Sequence, residues 1–149
     1  MKLFFSRPQI YIVNTDGATR LERGVSGLAA IVRDDKGRIV HWWCKREKRM
    51  TCNEAEYAAA IMALEYIRAL QNPPRELKLY SDSQVMVHQM SGIASAHAPA
   101  LRQAQMRMRG LVAQFEKVSF HHIPREKNRL ADALANDAAD GKEPNERIA

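Results

Sequence analysis

Hydrophobic positions along the chain alternate between a two-residue period and a period near four, and each change of period marks an element. Residues 9–15, Gln-Ile-Tyr-Ile-Val-Asn-Thr, are dense in β-branched and aromatic side chains and run into Asp16-Gly17, which predicts a strand ending in a turn. Leu28–Val32 and Ile39–Cys44 flank Asp34-Asp35-Lys36-Gly37, the pattern of a hairpin. From Thr51 the period lengthens. Tyr57, Ile61, Leu64 and Ile67 recur at helical spacing, Thr51 or Asn53 supplies a cap, and Asn72-Pro73-Pro74 stops a helix that runs to about Leu70. Leu77–Tyr80 reads as a short fourth strand, and Ser81-Asp82-Ser83 opens a short helix reaching to about Met90. Leu101–Phe115 is a further amphipathic helix with Leu101, Met108, Leu111, Val112 and Phe115 on one side. Val118–Ile123 is a fifth strand broken by Pro124, and Asn128 to about Ala139 is the last helix. The order βββαβααβα predicts an α/β fold with one five-stranded mixed sheet flanked by helices. Neither repeat nor linker interrupts it, so 1–149 reads as a single domain with its core at about 9–139 and a polar, frayed tail from Asp140.

Composition agrees with a globular chain. Of 149 residues, 46% are apolar and 27% charged, which excludes wholesale disorder. No apolar run approaches the ~20 residues of a membrane span, and the signal-like start Met1–Phe5 is cut short by Ser6-Arg7-Pro8. The two cysteines, Cys44 and Cys52, have neither CxxC spacing nor a disulfide framework, so a reducing cytoplasm is the expected location; the expected form is a monomer. The net charge of +6 is uneven: residues 1–50 hold 11 Lys/Arg against 5 Asp/Glu, whereas residues 125–149 hold 5 against 6. Lys45, Arg46, Lys48 and Arg49 crowd around Glu47, a patch that attracts a polyanion by counterion release or else is a solvated basic turn. Adjacent Trp42 and Trp43 face opposite ways on a strand, one toward the core and the other near that basic face.

Four acids stand where local structure presents functional groups. Asp16 is expected at the end of the first strand, Asp82 just after the fourth, and Glu56 and Asp132 in the first turns of two helices. Strand ends in such sheets are where ligands bind, and helix N-termini favour carboxylates. Taken singly, each acid is more commonly a cap or turn residue than a ligand. Taken with their flanks they form a register. Tyr11-Ile-Val-Asn-Thr-Asp16-Gly-Ala, Thr51-Cys-Asn-Glu-Ala-Glu56-Tyr, Tyr80-Ser-Asp82-Ser-Gln and Ile123-Pro-Arg-Glu-Lys-Asn128-Arg-Leu-Ala-Asp132-Ala-Leu-Ala together resemble ribonuclease H of the type 1 class. The likeness covers about residues 9–139 and is greatest to the compact branch with Pro-Arg-Glu before the last acid and no basic protrusion.

That resemblance implies hydrolysis of the RNA strand of an RNA–DNA hybrid, leaving 5′-phosphate and 3′-hydroxyl ends. It also implies that Asp16, Glu56, Asp82 and Asp132 hold two Mg²⁺ ions, with Mn²⁺ as a substitute. Hard Mg²⁺ prefers oxygen ligands and keeps several waters, and two ions about 3.5–4 Å apart serve an in-line displacement. No His or Cys shows zinc spacing. By the same resemblance Asn53 and Gln84 match positions that reach the minor groove of the hybrid, where 2′-hydroxyls mark the RNA strand. Arg49 and Thr51 match a pocket for a phosphate of the DNA strand.

The chain departs from the family's pattern in three places. Thr19–Gly24 replaces a Gly-Asn-Pro-Gly-like turn, Cys52 stands where Asn is usual, and the loop before Asp132 is short and lacks the mobile histidine many members carry. Arg125 is the functional candidate on that loop, and His122 reads as part of the fifth strand. His41, His88, His97 and His121 read as surface or packing residues. Two rivals remain: a DNA-processing relative of the same fold, against which Asn53 and Gln84 argue, and a hybrid-binding module without catalysis. Four intact acids facing phosphate argue against the second.

Overall fold

The computed structural model describes residues 7–143. Its strands are β1 (Ile10–Arg20), β2 (Val25–Arg33), β3 (Ile39–Lys48), β4 (Glu76–Ser81) and β5 (Lys117–His122); its helices are α1 (Cys52–Arg68), α2 (Gln84–Met90), α3 (Pro99–Val112) and α4 (Arg129–Ala139), with a 3-10 turn at Arg125–Lys127. The five strands form one sheet in the order β3-β2-β1-β4-β5. The pairs β1–β2 and β2–β3 are antiparallel, whereas β1–β4 and β4–β5 are parallel. The expected mixed sheet is therefore present.

Alternation along β2 explains how both faces are covered. Leu28, Ala30 and Val32 join Tyr57, Leu64 and Ile67 of α1 and Met108 and Leu111 of α3 in the main core. Ala29 and Ile31 point the other way and join Ala131, Leu134 and Ala135 of α4. A strand buried on both faces reads as an unbroken apolar run, as Leu28–Val32 does. Each fully buried Leu or Ile here stabilises the fold by about 1.5–3 kcal/mol.

Several boundaries differ from the sequence expectation. β1 does not turn at Asp16-Gly17 but pairs with β2 as far as Arg20↔Val25, and the reversal falls at Leu21–Gly24, where Gly24 adopts φ +67°. Gly17 serves another purpose. The backbone of Ala55 in α1 passes where a Cβ on residue 17 would lie, so only glycine lets α1 cross the sheet this closely. Asp16 thus sits inside a strand rather than at its end. β3 runs on to Lys48, so all of the basic cluster but Arg49 is strand rather than turn. Lys45 pairs with Glu47 at 2.9 Å and lines a groove against α1 with Lys48 and Arg49, whereas the Arg46 guanidinium lies over Gly141 beyond α4. Trp43 packs on the main core and Trp42 on the α4 cluster, so each is half-buried on its own face of the sheet. α3 starts at Pro99, a favoured first helical residue, and ends before Phe115. The tail is not frayed at its start. Gly141 and Lys142 donate their N–H groups to the carbonyls of Ala138 and Asp137. Residues 144–149, and the leader-like Met1–Phe5, lie outside the described residues.

Candidate active site

Three elements converge where α1 crosses β1. Thr51 caps α1, accepting from the Glu54 N–H at 3.1 Å while Glu54 accepts from the Thr51 N–H at 3.2 Å, a capping box that fixes the helix start. The helix so placed carries Glu56 beside Asp16. β4 runs parallel to β1 and ends at Ser81, which delivers Asp82 to the same point. One carboxylate oxygen from each of Asp16, Glu56 and Asp82 lies within 4.8 Å of the others. Asp16 is buried, and Glu56 and Asp82 are half-buried.

Such crowding has an electrostatic consequence. Burial, then the charge of Glu56, raises the Asp16 carboxyl far above the ordinary aspartate range. Burial raises Glu56 as well, against hydrogen bonds from Asp16, Gly17 and Ser81 that favour its ionised form. Asp82 is raised by burial and lowered in part by the Asn128 amide, 3.4 Å away, and by the charge of Arg125. Three hard oxygen donors drawn this close together match a divalent ion that takes carboxylates and water.

Asp132 stands in the first turn of α4 and lines the same cleft of about 420 Å³, at the rim of the three-acid cluster rather than inside it. Its Oδ1 accepts from Asn136 Nδ2 at 3.3 Å and from Arg125 Nη2 at 3.5 Å. Arg125 opens the 3-10 turn, lines the cleft and leaves 78% of its side chain exposed. His122 is the last residue of β5, as expected, and is exposed. His121 stacks on Tyr80 and His41 on Trp43, both packing roles. Of the other nominated residues, Arg49 lines the separate groove between β3 and α1, and Thr51, Asn53 and Gln84 stand at the starts of α1 and α2. Thr51 uses its oxygen as the cap but keeps its hydroxyl proton to donate. Arg49 follows β3, Asn53 is exposed in the first turn of α1, and Gln84 is the exposed first residue of α2.

Sequence reasoning missed three side chains that hold the site. Asn128 is 2% exposed and, although it stands at the head of α4, does not cap it. Its Nδ2 donates to the Thr15 carbonyl at 3.0 Å and to Asp82, and its Oδ1 accepts from Asn14 at 3.0 Å. Asn136 and Arg20 line the cleft next to Asp132. A signal existed for each: Asn128 and Asn136 lie four residues either side of Asp132, on its helix face, and Arg20 lies four after Asp16, on its strand face.

A family model described as reverse transcriptase-like matches residues 14–138. The crystal structure of ribonuclease H1 from Halobacterium salinarum superposes with a TM-score of 0.83 at 34% identity, covering 89% of this chain and 98% of that one. The chain belongs to the ribonuclease H type 1 family. LC11-RNase H1, solved in complex with an RNA/DNA hybrid, superposes at 0.82 with 32% identity over 88% of this chain and 97% of that one. In sequence, the curated ribonuclease HI of H. salinarum is 37% identical over 84% of this chain, which spans 62% of that protein's length. The bifunctional Rv2228c of Mycobacterium tuberculosis is 32% identical over 87% of this chain, which spans 35% of that protein's length. Within the ribonuclease H frame, the chain's unusual β1–β2 turn has a structural substitute for the missing glycines. Arg20 and Arg23 both reach Asp140, at 3.0 and 3.2 Å, and pin the turn to the end of α4.

Proposed function

We propose that this chain hydrolyses the RNA strand of RNA–DNA hybrids as an endonuclease, leaving 5′-phosphate and 3′-hydroxyl ends. The observation that carries the proposal is the convergence of Asp16, Glu56 and Asp82 in one cleft, with Asp132 and Arg125 on its rim. The hybrid-bound ribonuclease H1 relative supports the substrate. The four acids hold two divalent ions, Mg²⁺ with Mn²⁺ as a substitute; when bound, such ions activate water and neutralise charge at the leaving oxygen. The residues' own contributions follow from their placement. Burial holds the Asp16 and Glu56 carboxyls up, so a divalent cation would compete with their protons for the same oxygens. Arg125 holds the scissile phosphate by charge-assisted hydrogen bonds from an exposed position beside Asp132. Arg49 and the Thr51 hydroxyl hold a DNA-strand phosphate at the head of α1. Asn53 and Gln84, on the first turns of two helices, read the minor groove. Two unpaired cysteines, Cys44 and Cys52, fit a reducing cytoplasm as the place of action, and the working form we propose is a monomer.

The test is cleavage of end-labelled hybrid, double-stranded RNA and double-stranded DNA, each with Mg²⁺ and with EDTA. The expected outcome is RNA-strand cleavage of the hybrid alone, abolished by EDTA. Cleavage of plain DNA at a comparable rate assigns the site to a DNA-processing enzyme, and hybrid binding without cleavage assigns it to a binding module.

A further inference from the structure

Asp132 is the one acid of the four outside the tight three-acid group, which it touches through Asp16, and its other surroundings are unequal. On the solvent side it meets Arg125, a side chain 78% exposed and 3.5 Å away. On the protein side it meets Asn136, one helical turn later, whose Nδ2 donates to the Asp132 carbonyl at 2.8 Å and to Asp132 Oδ1 at 3.3 Å. An amide can present either its oxygen or its nitrogen, and here its orientation is dictated from outside. Arg20 Nη2 donates to Asn136 Oδ1 at 2.6 Å, which forces the NH₂ group toward Asp132. Arg20 is itself held as a fork: its Nε and Nη2 donate to the two oxygens of Asp140 at 3.0 and 3.3 Å. The Arg20 hydrogen bond holds the Asp140 carboxyl below the usual carboxylate range, so the anchor stays ionised. Asp140 in turn closes α4. Each link restricts the next, and the chain begins in the segment where this sequence departs from the family's glycine-rich turn.

We propose that Asp140, Arg20 and Asn136 form a positioning relay that sets the orientation of the Asp132 carboxylate toward the metal site. The inference rests on the proposed nuclease reading only for the role of Asp132; the relay itself is a property of this chain. Arg20 lines the cleft and donates through Nε and Nη2 to Asp140 and Asn136, and in this relay it acts through Asp132. Outer groups that orient metal-binding carboxylates typically change metal affinity or activity 10–100-fold when removed.

The experiment measures kcat and KM on hybrid with Mg²⁺, and Mn²⁺ binding to the nucleic-acid-free protein by calorimetry. The proteins are wild type, Arg20→Ala, Asn136→Ala, the double variant, and Asn136→Ala in an Asp132→Asn background. Asn136→Ala is expected to lower kcat about 10–100-fold with KM within twofold, and to weaken Mn²⁺ binding about tenfold. Arg20→Ala has the same signature, and the double variant is no worse than the poorer single one, because the two act in series. In the Asp132→Asn background Asn136→Ala changes Mn²⁺ affinity no further. Losses that multiply, a raised KM at unchanged kcat, or a further loss without the Asp132 carboxylate overturn the relay. Arg20→Lys and Asp140→Asn, milder changes at the same links, decide the question if an alanine variant fails to fold: each should lower kcat several-fold without raising KM, and wild-type kinetics in both overturns the relay. If wild type cleaves no hybrid, the nuclease reading falls, and the Mn²⁺ cycle still decides the relay.

Discussion

Arg125, on the short loop before Asp132, is the residue we propose in place of the mobile histidine that the family resemblance implies, and the two side chains are not chemically equivalent. A guanidinium cannot deprotonate at working pH, so Arg125 cannot serve as a general base. Its position, 3.5 Å from Asp132 at the head of a three-residue 3-10 turn that follows Pro124, suits it to hold a phosphate as charge develops. Arg125→Ala should lower kcat by about 10²–10³, the scale of losing one such donor, and Arg125→Lys should recover only part because the fork is lost. His122→Ala should leave turnover within a few-fold of wild type. Steady-state kinetics across pH check both. A crippled His122→Ala enzyme that lacks an inflection near the ordinary histidine range, ~6–7, would place the imidazole in the mechanism instead.

At the scale of elements, the position of β3 between α1 and the end of α4 governs how the basic excess of the chain can act. Lys45, Lys48 and Arg49 line the groove against α1, Lys45 already pairs with Glu47, and Arg46 faces the end of α4. The four cations are therefore two surfaces rather than one. Reversing charge at Lys48 and Arg49 should raise KM for hybrid about tenfold or more at low salt with little change in kcat, and should flatten the salt dependence of binding. Arg46→Glu should change KM less. Equal effects from both variants would mean that substrate spans both faces of the sheet. This division was illegible in the linear cluster, because the expected strand end at Cys44 hid the strand beyond it, and which side each cation serves depends on α1 and α4. The same cause misplaced the end of β1. Asp-Gly is a strong turn signal, and only tertiary crossing by α1 shows that Gly17 exists for close approach. Periodicity located every strand and long helix, since those patterns are set by burial on one or two faces. It placed Asp16, Glu56, Asp82 and Asp132 on the right elements. It was silent on Asn128, Asn136 and Arg20, whose roles depend on contacts more than a hundred residues apart in sequence, such as Arg20 with Asn136 and Asn14 with Asn128.

For the whole molecule, the acid cluster makes stability depend on pH and on metal together. Asp16, Glu56 and Asp82 all have carboxyl groups raised in the folded, metal-free protein, so each is protonated more readily when folded than when unfolded. Groups raised in this way contribute stability that is fully present below the ordinary carboxylate range, ~4, and that is lost as pH rises through their raised values. Asp140 works in the opposite sense. Lowered by Arg20, it contributes stability that is present above the ordinary aspartate value and lost only as pH falls below it. The two effects occupy different pH windows and can be separated. In EDTA, Tm should fall as pH is raised from about 5 to 8, and saturating Mg²⁺ should restore it at pH 8 while changing little at pH 5, where Asp16 and Glu56 still hold protons. Asp82→Asn removes one of the repelling charges yet keeps an oxygen for the Asn128 amide. In EDTA at pH 8 it should be as stable as wild type or more so by about 1 kcal/mol, ~2–4 °C in Tm, while losing both cleavage and the Mg²⁺ gain. Thermal melts of the two proteins across pH, with and without Mg²⁺, decide the matter. A Tm that rises with pH in EDTA, or an Asp82→Asn protein markedly less stable without metal, would mean that the cluster is bound together by its own hydrogen bonds rather than strained by its charge.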